Sequence, residues 1–296
     1  MDAGLRARVD AIGRDAESSA SAILPRAIEV LREASGAGPT ALAAAAEALC
    51  RAQPAMAGIW NASSAALRGN DALERFAHLV VRAPAAVARH AASLLELGVP
   101  PDRPLRLVTC SSSGLVIAAV RALGQQRPVI VSCAEGRPRY EGRRLAVALA
   151  TTGASVELFT DAGVGAAMAG ADAFVCGADT VFPDLFINKV GTAALVALAR
   201  ATGTPAYVLA GREKLLPGSA RQLAARTTGG PPAEVWAETS GIAVRNPYFE
   251  PVPLEWTAGL VTDAGVLGAG MLDADRLKSG ESPELAWLLS RLFEIS

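Results

Sequence analysis

Through the first hundred residues, apolar side chains recur three and four positions apart. Leu5, Val9, Ile12, Ala16, Ile23, Ala27, Val30 and Leu31 form one such series, the spacing that lines one face of an α-helix. Pro25 is expected to kink or divide this segment, and Gly36 and Gly38 to close it. Thr40 can cap a second helix through the alanine-rich run Ala41–Leu49. A third pattern opens at Asp71–Leu73, is broken in two by Pro84, and ends at Gly98, Val99 and Pro100. Period-two alternation, the mark of a half-buried strand, is missing from this half.

The pattern changes at Leu105. Short β-prone runs at Leu105–Thr109, Pro128–Ser132, Ser155–Thr160, Ala173–Cys176 and Ala206–Leu209 now alternate with helical stretches. The helices predicted between them are Ser113–Leu123, Arg139–Thr151, Asp161–Met168 and Asn188–Thr202, and a last amphipathic helix covers Pro283–Phe293. The strands are apolar on both faces, as buried parallel strands are. The alternation predicts an α/β fold, a mostly parallel sheet flanked by helices. The division expected is a helical domain over residues 1–103 and a ligand-binding domain over residues 104–296. Gly218–Glu238 reads as a surface excursion or as a piece that packs against a partner chain.

Composition narrows the partners. A chain of 296 residues that is 51% hydrophobic has ample apolar material for a large core. With 28 basic and 29 acidic residues and no basic run, it lacks the electrostatic footprint of a nucleic-acid binder. A small anionic ligand needs only a local positive site. The start of the chain is studded with charge and no apolar leader core follows, and the longest apolar stretch, Val190–Ala199, is too short to span a bilayer. A cytoplasmic protein without membrane contact is expected. Cys50, Cys110, Cys133 and Cys176 are widely spaced, so reduced thiols are expected, and two histidines, His78 and His90, do not make a metal site. No metal and no cofactor are expected.

Ligands of open α/β sheets sit at the carboxyl ends of the strands. Three such corners carry chemistry. In the first, Thr109–Gly114, small hydroxyl residues Ser111, Ser112 and Ser113 precede a helix, an arrangement that gathers backbone amides around an anion. Cys110 stands at its edge, where a helix dipole can favour a thiolate; a capped helix with an inert buried cysteine accounts for the same residues. In the second, Arg137 lies just past a strand, where a guanidinium can clamp a phosphate. Gly142 permits close approach, and of Arg143 and Arg144 at least one should face solvent. In the third, Asp179 follows a buried strand, and Asn188 and Lys189 are placed at the start of a helix, where a phosphate would meet positive charge and free amides. Asp179 and Asn188 serve equally well as ordinary turn and helix caps. Asp161 reads as a helix cap. The sequence holds no G-x-x-x-x-G-K-[ST], H-E-x-x-H, G-x-S-x-G or G-x-G-x-x-G after the first strand.

Taken in order, three segments are recognisable: C-A-E-G-R-P-R-Y-E-G (Cys133–Gly142), G-A-D-T-V-F-P-D-L-F-I-N-K-V-G-T (Gly177–Thr192) and N-P-Y-F-E-P-V-P-L-E-W-T-A-G-L-V-T-D-A-G-V (Asn246–Val266). They resemble segments of the family built around the alpha, beta and delta subunits of translation initiation factor 2B. That family also includes 5-methylthioribose-1-phosphate isomerase and ribose-1,5-bisphosphate isomerase. The resemblance implies a Rossmann-like domain over roughly Leu105–Leu267 behind an N-terminal helical domain. In the isomerases the first strand-end loop carries a catalytic cysteine and G-A-D a catalytic aspartate, which fall on Cys110 and Asp179. Asn188, Lys189 and Arg137 match ligand-binding positions. Ser111 stands where the isomerases usually have asparagine, and Gly136 where E-S-R-P has serine. Ala52-Gln53-Pro54 stands where one branch carries a phosphate-binding arginine, with Arg51 the nearest substitute.

The function implied is a cofactor-independent aldose–ketose isomerase of a sugar phosphate, nearest in type to ribose-1,5-bisphosphate isomerase. The alternative is a non-catalytic initiation-factor-2B-like subunit that binds a nucleotide or sugar phosphate. Relatives of this fold pair through their Rossmann-like halves, so a homodimer or higher homo-oligomer is expected, with Leu260–Leu272 as the candidate contact.

Overall fold

The computed structural model describes residues 1–15, 18–226, 229–237, 241–268 and 281–293. Five helices come first: α1 (Ala3–Arg14), α2 (Ala20–Gly36), α3 (Pro39–Ala52), α4 (Ala57–Arg68) and α5 (Asn70–Leu95). The first two separate at Asp15, upstream of Pro25, which lies inside α2. Pro84 does not break α5. A proline in a helix removes one backbone hydrogen bond at a cost of about 3 kcal/mol. Here the stripe Leu73, Ala77, Ala83, Val87, Ala91 and Leu95 is buried on both sides of it, and that burial holds the helix together. The first cap of α3 is Gly38 with Pro39 at the first turn, not Thr40. Helix α4 is buried almost all round, with Gly58, Ile59, Trp60, Ala62 and Ser63 inside. A fully enclosed helix presents no amphipathic period to read.

The second half supplies β1 (Leu105–Thr109), α6 (Gly114–Gly124), β2 (Val129–Ala134), α7 (Glu141–Ala150), β3 (Ser155–Phe159) and β4 (Ala173–Gly177). After these come β5 (Thr180–Val181), β6 (Leu185–Lys189), α8 (Thr192–Thr202), β7 (Ala206–Leu209), β8 (Phe249–Pro253), β9 (Gly259–Thr262), β10 (Gly265–Gly268) and α9 (Pro283–Phe293). The expected helix Asp161–Met168 is instead a 3₁₀ segment, Val164–Gly170. The excursion after β7 holds further 3₁₀ turns at Gly218–Arg226 and Pro232–Glu234; its last expected residue, Glu238, lies outside the described residues. Gly203 caps α8 in the left-handed region.

Seven strands form one sheet in the order β10-β9-β7-β4-β1-β2-β3, all neighbours parallel except the β9–β10 hairpin. The chain runs outward from β1 through β2 and β3, then returns to β4 on the other side of β1. This reversal makes the crevice between the ends of β1 and β4 the topological switch point. The helices α5, α6 and α7 cover one face through Val87, Ala91, Leu115, Val120 and Leu145. The Val164–Gly170 segment and α8 cover the other through Val164, Met168 and Val196. A second, three-stranded sheet, β5-β6-β8, was not expected. Its central strand, β6, ends in Asn188 and Lys189, so these residues finish a strand rather than begin a helix.

A separate core joins α1 to α4 with the first half of α5. Leu285, Leu288, Leu289 and Leu292 of α9 are part of it. Among the described residues, no helix is long and apolar enough to cross a membrane.

Candidate active site

A cleft of about 220 Å³ opens at the switch point. Its floor is the strand-end loop after β1 and the one after β4, and its roof comes from the α1–α2 corner and the end of α3. The two floor loops touch. A Cβ on Gly177 would lie 2.6 Å from Ser113 Oγ, so the glycine is what lets Ser113 sit there. Ser113 caps α6, accepting from the Val116 amide at 3.4 Å. Ser111, Ser112 and Gly114 line the cleft beside it. Ser111 has φ +62°, the left-handed region where a side chain other than asparagine, aspartate or glycine costs energy.

Asp179 is half-buried on the floor. The Ala57 amide of α4 donates to its carbonyl at 3.2 Å and to Thr180 Oγ1 at 2.9 Å, so the helical half of the molecule fixes this corner. Burial raises the Asp179 carboxyl above its ordinary value, against the opposing pull of Lys214 and Lys189. Lys214 is itself buried and donates to the Ala178 carbonyl at 2.6 Å.

Cys110 lies beneath the floor rather than on it. It is 6% exposed, and its Sγ is 3.5 Å from Thr192 Oγ1. Burial pushes the thiol up to about 12, the Thr192 contact draws it back slightly, and Glu250, Glu141 and Asp161 push it further up. Desolvation thus opposes the thiolate that a helix dipole can favour, and the burial is that of the inert cysteine the sequence equally allowed.

Thr192 is a hub. Its hydroxyl donates to the Lys189 carbonyl at 2.6 Å and accepts from Asn188 Nδ2 at 2.9 Å. Lys189 Nζ sits 3.1 Å from Glu141 Oε1, over the rings of Tyr248 and Phe249 at 4.8 and 5.5 Å. Asn188, Lys189, Glu141 and Tyr248 all line the cleft. The first turn of α8 is not open to an anion, because Glu250 Oε1 accepts from the Ala193 amide at 2.8 Å.

Arg137 does not reach the cleft. Its guanidinium donates to Tyr140 Oη at 2.9 Å and lies 5.4 Å from that ring. Its amide and that of Gly136 donate to Asp161, at 2.7 and 2.8 Å, so Asp161 caps this turn rather than a helix. Of the neighbouring pair, Arg143 faces outward over Tyr140 and pairs with Glu135, while Arg144 lines the cleft. Arg51 is no substitute for a phosphate-binding arginine: it points at Glu47 and the Arg291 carbonyl. Gln53 lines the cleft, and its side-chain amide ties the end of α1, donating to the Ile12 carbonyl at 2.8 Å.

Sequence reasoning missed Lys214, Thr192, Glu141 and Tyr248. Lys214 had a signal, since it follows the end of β7 and the strand-end rule applies there too. The others are brought in by the second sheet and by the turn that leads into α7, which no periodicity announces.

Against this geometry, comparison with known proteins is informative. The model of the initiation factor 2 subunit family matches residues 17–269. The chain belongs to that family. Methylthioribose-1-phosphate isomerase of Desulforudis audaxviator is 37% identical over 196 residues, covering 56% of this chain and 53% of that protein. Ribose 1,5-bisphosphate isomerase of Haloferax volcanii is 29% identical, covering 66% and 61%. The chain thus spans only about half to three fifths of the length of these two curated relatives. Among solved structures, translation initiation factor eIF-2B of Pyrococcus horikoshii superposes with a TM-score of 0.74 at 20% identity, over 90% of this chain and 97% of that one. The α/β fold with its mostly parallel sheet is that of this family.

Proposed function

We propose that the chain is a cofactor-independent isomerase that converts an aldose 1-phosphate to the ketose, nearest in type to ribose-1,5-bisphosphate isomerase, with Cys110 and Asp179 as its catalytic residues. The observation that supports this reading is that Asp179 and Cys110 stand at the two strand ends of the switch point. Lys189 and Lys214 stand beside the cleft to meet an anionic substrate. Ser111, Ser112 and Ser113 bind the phosphate at the start of α6 together with Asn188 and Lys189. Arg137 would need to move to take part.

The proton inventory assigns the roles. Asp179, whose carboxyl burial raises above its ordinary value, gives its proton to the ring oxygen as the bond from that oxygen to C1 breaks. The resulting carboxylate takes the hydrogen from C2 as a proton, and the C1–C2 double bond forms. The Cys110 thiol then protonates C1, and its strongly basic thiolate recovers the proton of the C2 hydroxyl, leaving a C2 carbonyl. Both groups return to their starting states, and no redox partner is consumed. Incubation with ribose 1,5-bisphosphate and methylthioribose 1-phosphate tests this. Turnover of either, lost by at least about a hundredfold in Asp179→Asn and Cys110→Ser, is expected. No turnover of any sugar 1-phosphate would overturn it.

The burial of Cys110 beneath the floor also favours a second reading, a non-catalytic subunit that binds a sugar phosphate or nucleotide for regulation. Ligand binding without turnover, unaffected by Cys110→Ser, would select it. For either reading we propose pairing with a second copy through Leu260–Leu272. The edge strand β10 leaves Val266 38% exposed, and residues 269–272 lie outside the described residues. A monomer at micromolar concentration in analytical ultracentrifugation would contradict this.

A further inference from the structure

A hydroxyl carries one hydrogen and two acceptor lone pairs, and at Thr192 all three are engaged. The hydrogen lies on the Lys189 carbonyl at 2.6 Å. One lone pair accepts from Asn188 Nδ2 at 2.9 Å. The other faces Cys110 Sγ at 3.5 Å. With its hydrogen on the carbonyl, Thr192 offers sulfur only an acceptor, so in this arrangement the thiol is the donor. Among the described residues, Thr192 is the one hydrogen-bond partner of that thiol. Thr192 has no solvent access, so water does not stand in for its hydroxyl.

The other surroundings oppose a charged sulfur. Glu250 of β8, Glu141 of α7 and Asp161 beyond β3 act on it as like charges, as does Cys176 of β4 when ionised. The Lys189 ammonium is held by Glu141 Oε1 at 3.1 Å. A thiolate formed here needs a hydrogen-bond donor. The Thr192 hydroxyl becomes one by rotating about its C–O bond, exchanging the Lys189 carbonyl for Sγ as its acceptor. We propose that Thr192 is a positioning residue for Cys110: its hydrogen turns to Sγ when the thiol gives up its proton, and returns to the Lys189 carbonyl when the proton comes back. The inference rests on the isomerase reading above, in which Sγ gives a proton to C1 and recovers one from the C2 hydroxyl. Thr192 keeps its own hydrogen throughout, so the proton balance of that sequence is unchanged. Serine preserves this rotor, whereas valine and alanine lack it.

Infrared spectroscopy of the full chain reads the contact directly, because a thiol that donates a hydrogen bond absorbs at lower wavenumber than a free one. The Cys110 band is identified by difference from Cys110→Ser. It should move to higher wavenumber in Thr192→Val and Thr192→Ala and keep its place in Thr192→Ser; either hydroxyl-free variant that folds suffices. With ribose 1,5-bisphosphate or methylthioribose 1-phosphate, kcat should fall about ten- to a hundredfold in the hydroxyl-free variants, the size of a lost hydrogen bond to an ionised group. Thr192→Ser should stay within about threefold of the wild type. A band that does not move would overturn the inference, as would a kcat that serine fails to restore. If the wild type turns over no sugar phosphate, the isomerase reading falls and the band alone decides. A shift then upholds Thr192 as the residue that holds the thiol, and no shift refutes it.

Discussion

Replacing Thr192 by valine removes one hydroxyl from a site with no solvent access and leaves the shape of the side chain nearly unchanged. The loss is therefore electrostatic rather than a cavity. Three contacts disappear: the donation to the Lys189 carbonyl at 2.6 Å, the acceptance from Asn188 Nδ2 at 2.9 Å and the weaker 3.5 Å contact with Cys110 Sγ. Asn188 is also buried, so its amide gains no water in exchange. A buried polar group left without a partner costs about 1–3 kcal/mol, which puts Thr192→Val about 2–4 kcal/mol below the wild type. Thr192→Ser keeps the hydroxyl and loses a methyl group, a cost of about 1 kcal/mol. Urea unfolding followed by circular dichroism measures both, the midpoint shift at constant slope giving the difference. If Thr192→Val unfolds at the wild-type midpoint, or if serine is no better than valine, then Thr192 does not organise this corner and the hydrogen-bond reasoning is wrong.

Other consequences can be measured with the same equipment. Gly142→Ala places a Cβ 1.8 Å from the Ala134 carbonyl oxygen, so α7 must move off β2; a loss of roughly 3 kcal/mol or more is expected, and an unchanged melting temperature would refute it. Ser111→Asn relieves a left-handed residue at φ +62° and should raise stability by about 1 kcal/mol, a gain of roughly 2–4 °C in Tm; a fall in Tm would count against the strain argument. Burial raises the Glu213 carboxyl above its ordinary value of 4.5, so the folded chain holds that proton more tightly than the unfolded one. The stability this contributes is complete below the unfolded value and is lost as pH rises through the folded one. Glu213→Gln escapes that loss. Its midpoint should gain on the wild type as pH rises above the ordinary carboxylate value and run parallel to it in more acid solution; a gap independent of pH would show that the carboxyl is not desolvated.

The parallel sheet was legible because its strands are short apolar runs, and β1 and β7 begin and end where the sequence places them. The three-stranded sheet was not. Its β5 is two residues long, and β8 carries Pro251 and Pro253, which argue against a strand. They are tolerated because β8 is the edge of that sheet, paired only with β6. That omission displaced Asn188 and Lys189 from a strand end to a helix start. The floor of the site was better read. The Ser111–Ser113 loop and Asp179 line one cleft as strand-end logic requires, whereas the depth of Cys110 depends on how Thr192 of α8 packs against it, which is tertiary. Arg137 shows the converse limit: its place in the chain is right, but Tyr140, held at φ +56°, draws the guanidinium away.

The insertion of α9 among α3 and α4 has a consequence for how the molecule comes into being. Leu285, Leu288, Leu289 and Leu292 complete a core whose members in α1 to α5 precede them by more than two hundred residues, with Phe182, Leu185, Ile187, Leu216, Ala220 and Leu223 made in between. During synthesis, the first four helices emerge with part of their apolar surface uncovered and stay so while the whole parallel sheet is assembled behind them. Chains fold by domains as they leave the ribosome, yet this helical layer must wait for residues 283–293 to seal it. The interval between those two events is when the nascent chain is most exposed to chaperones and to aggregation.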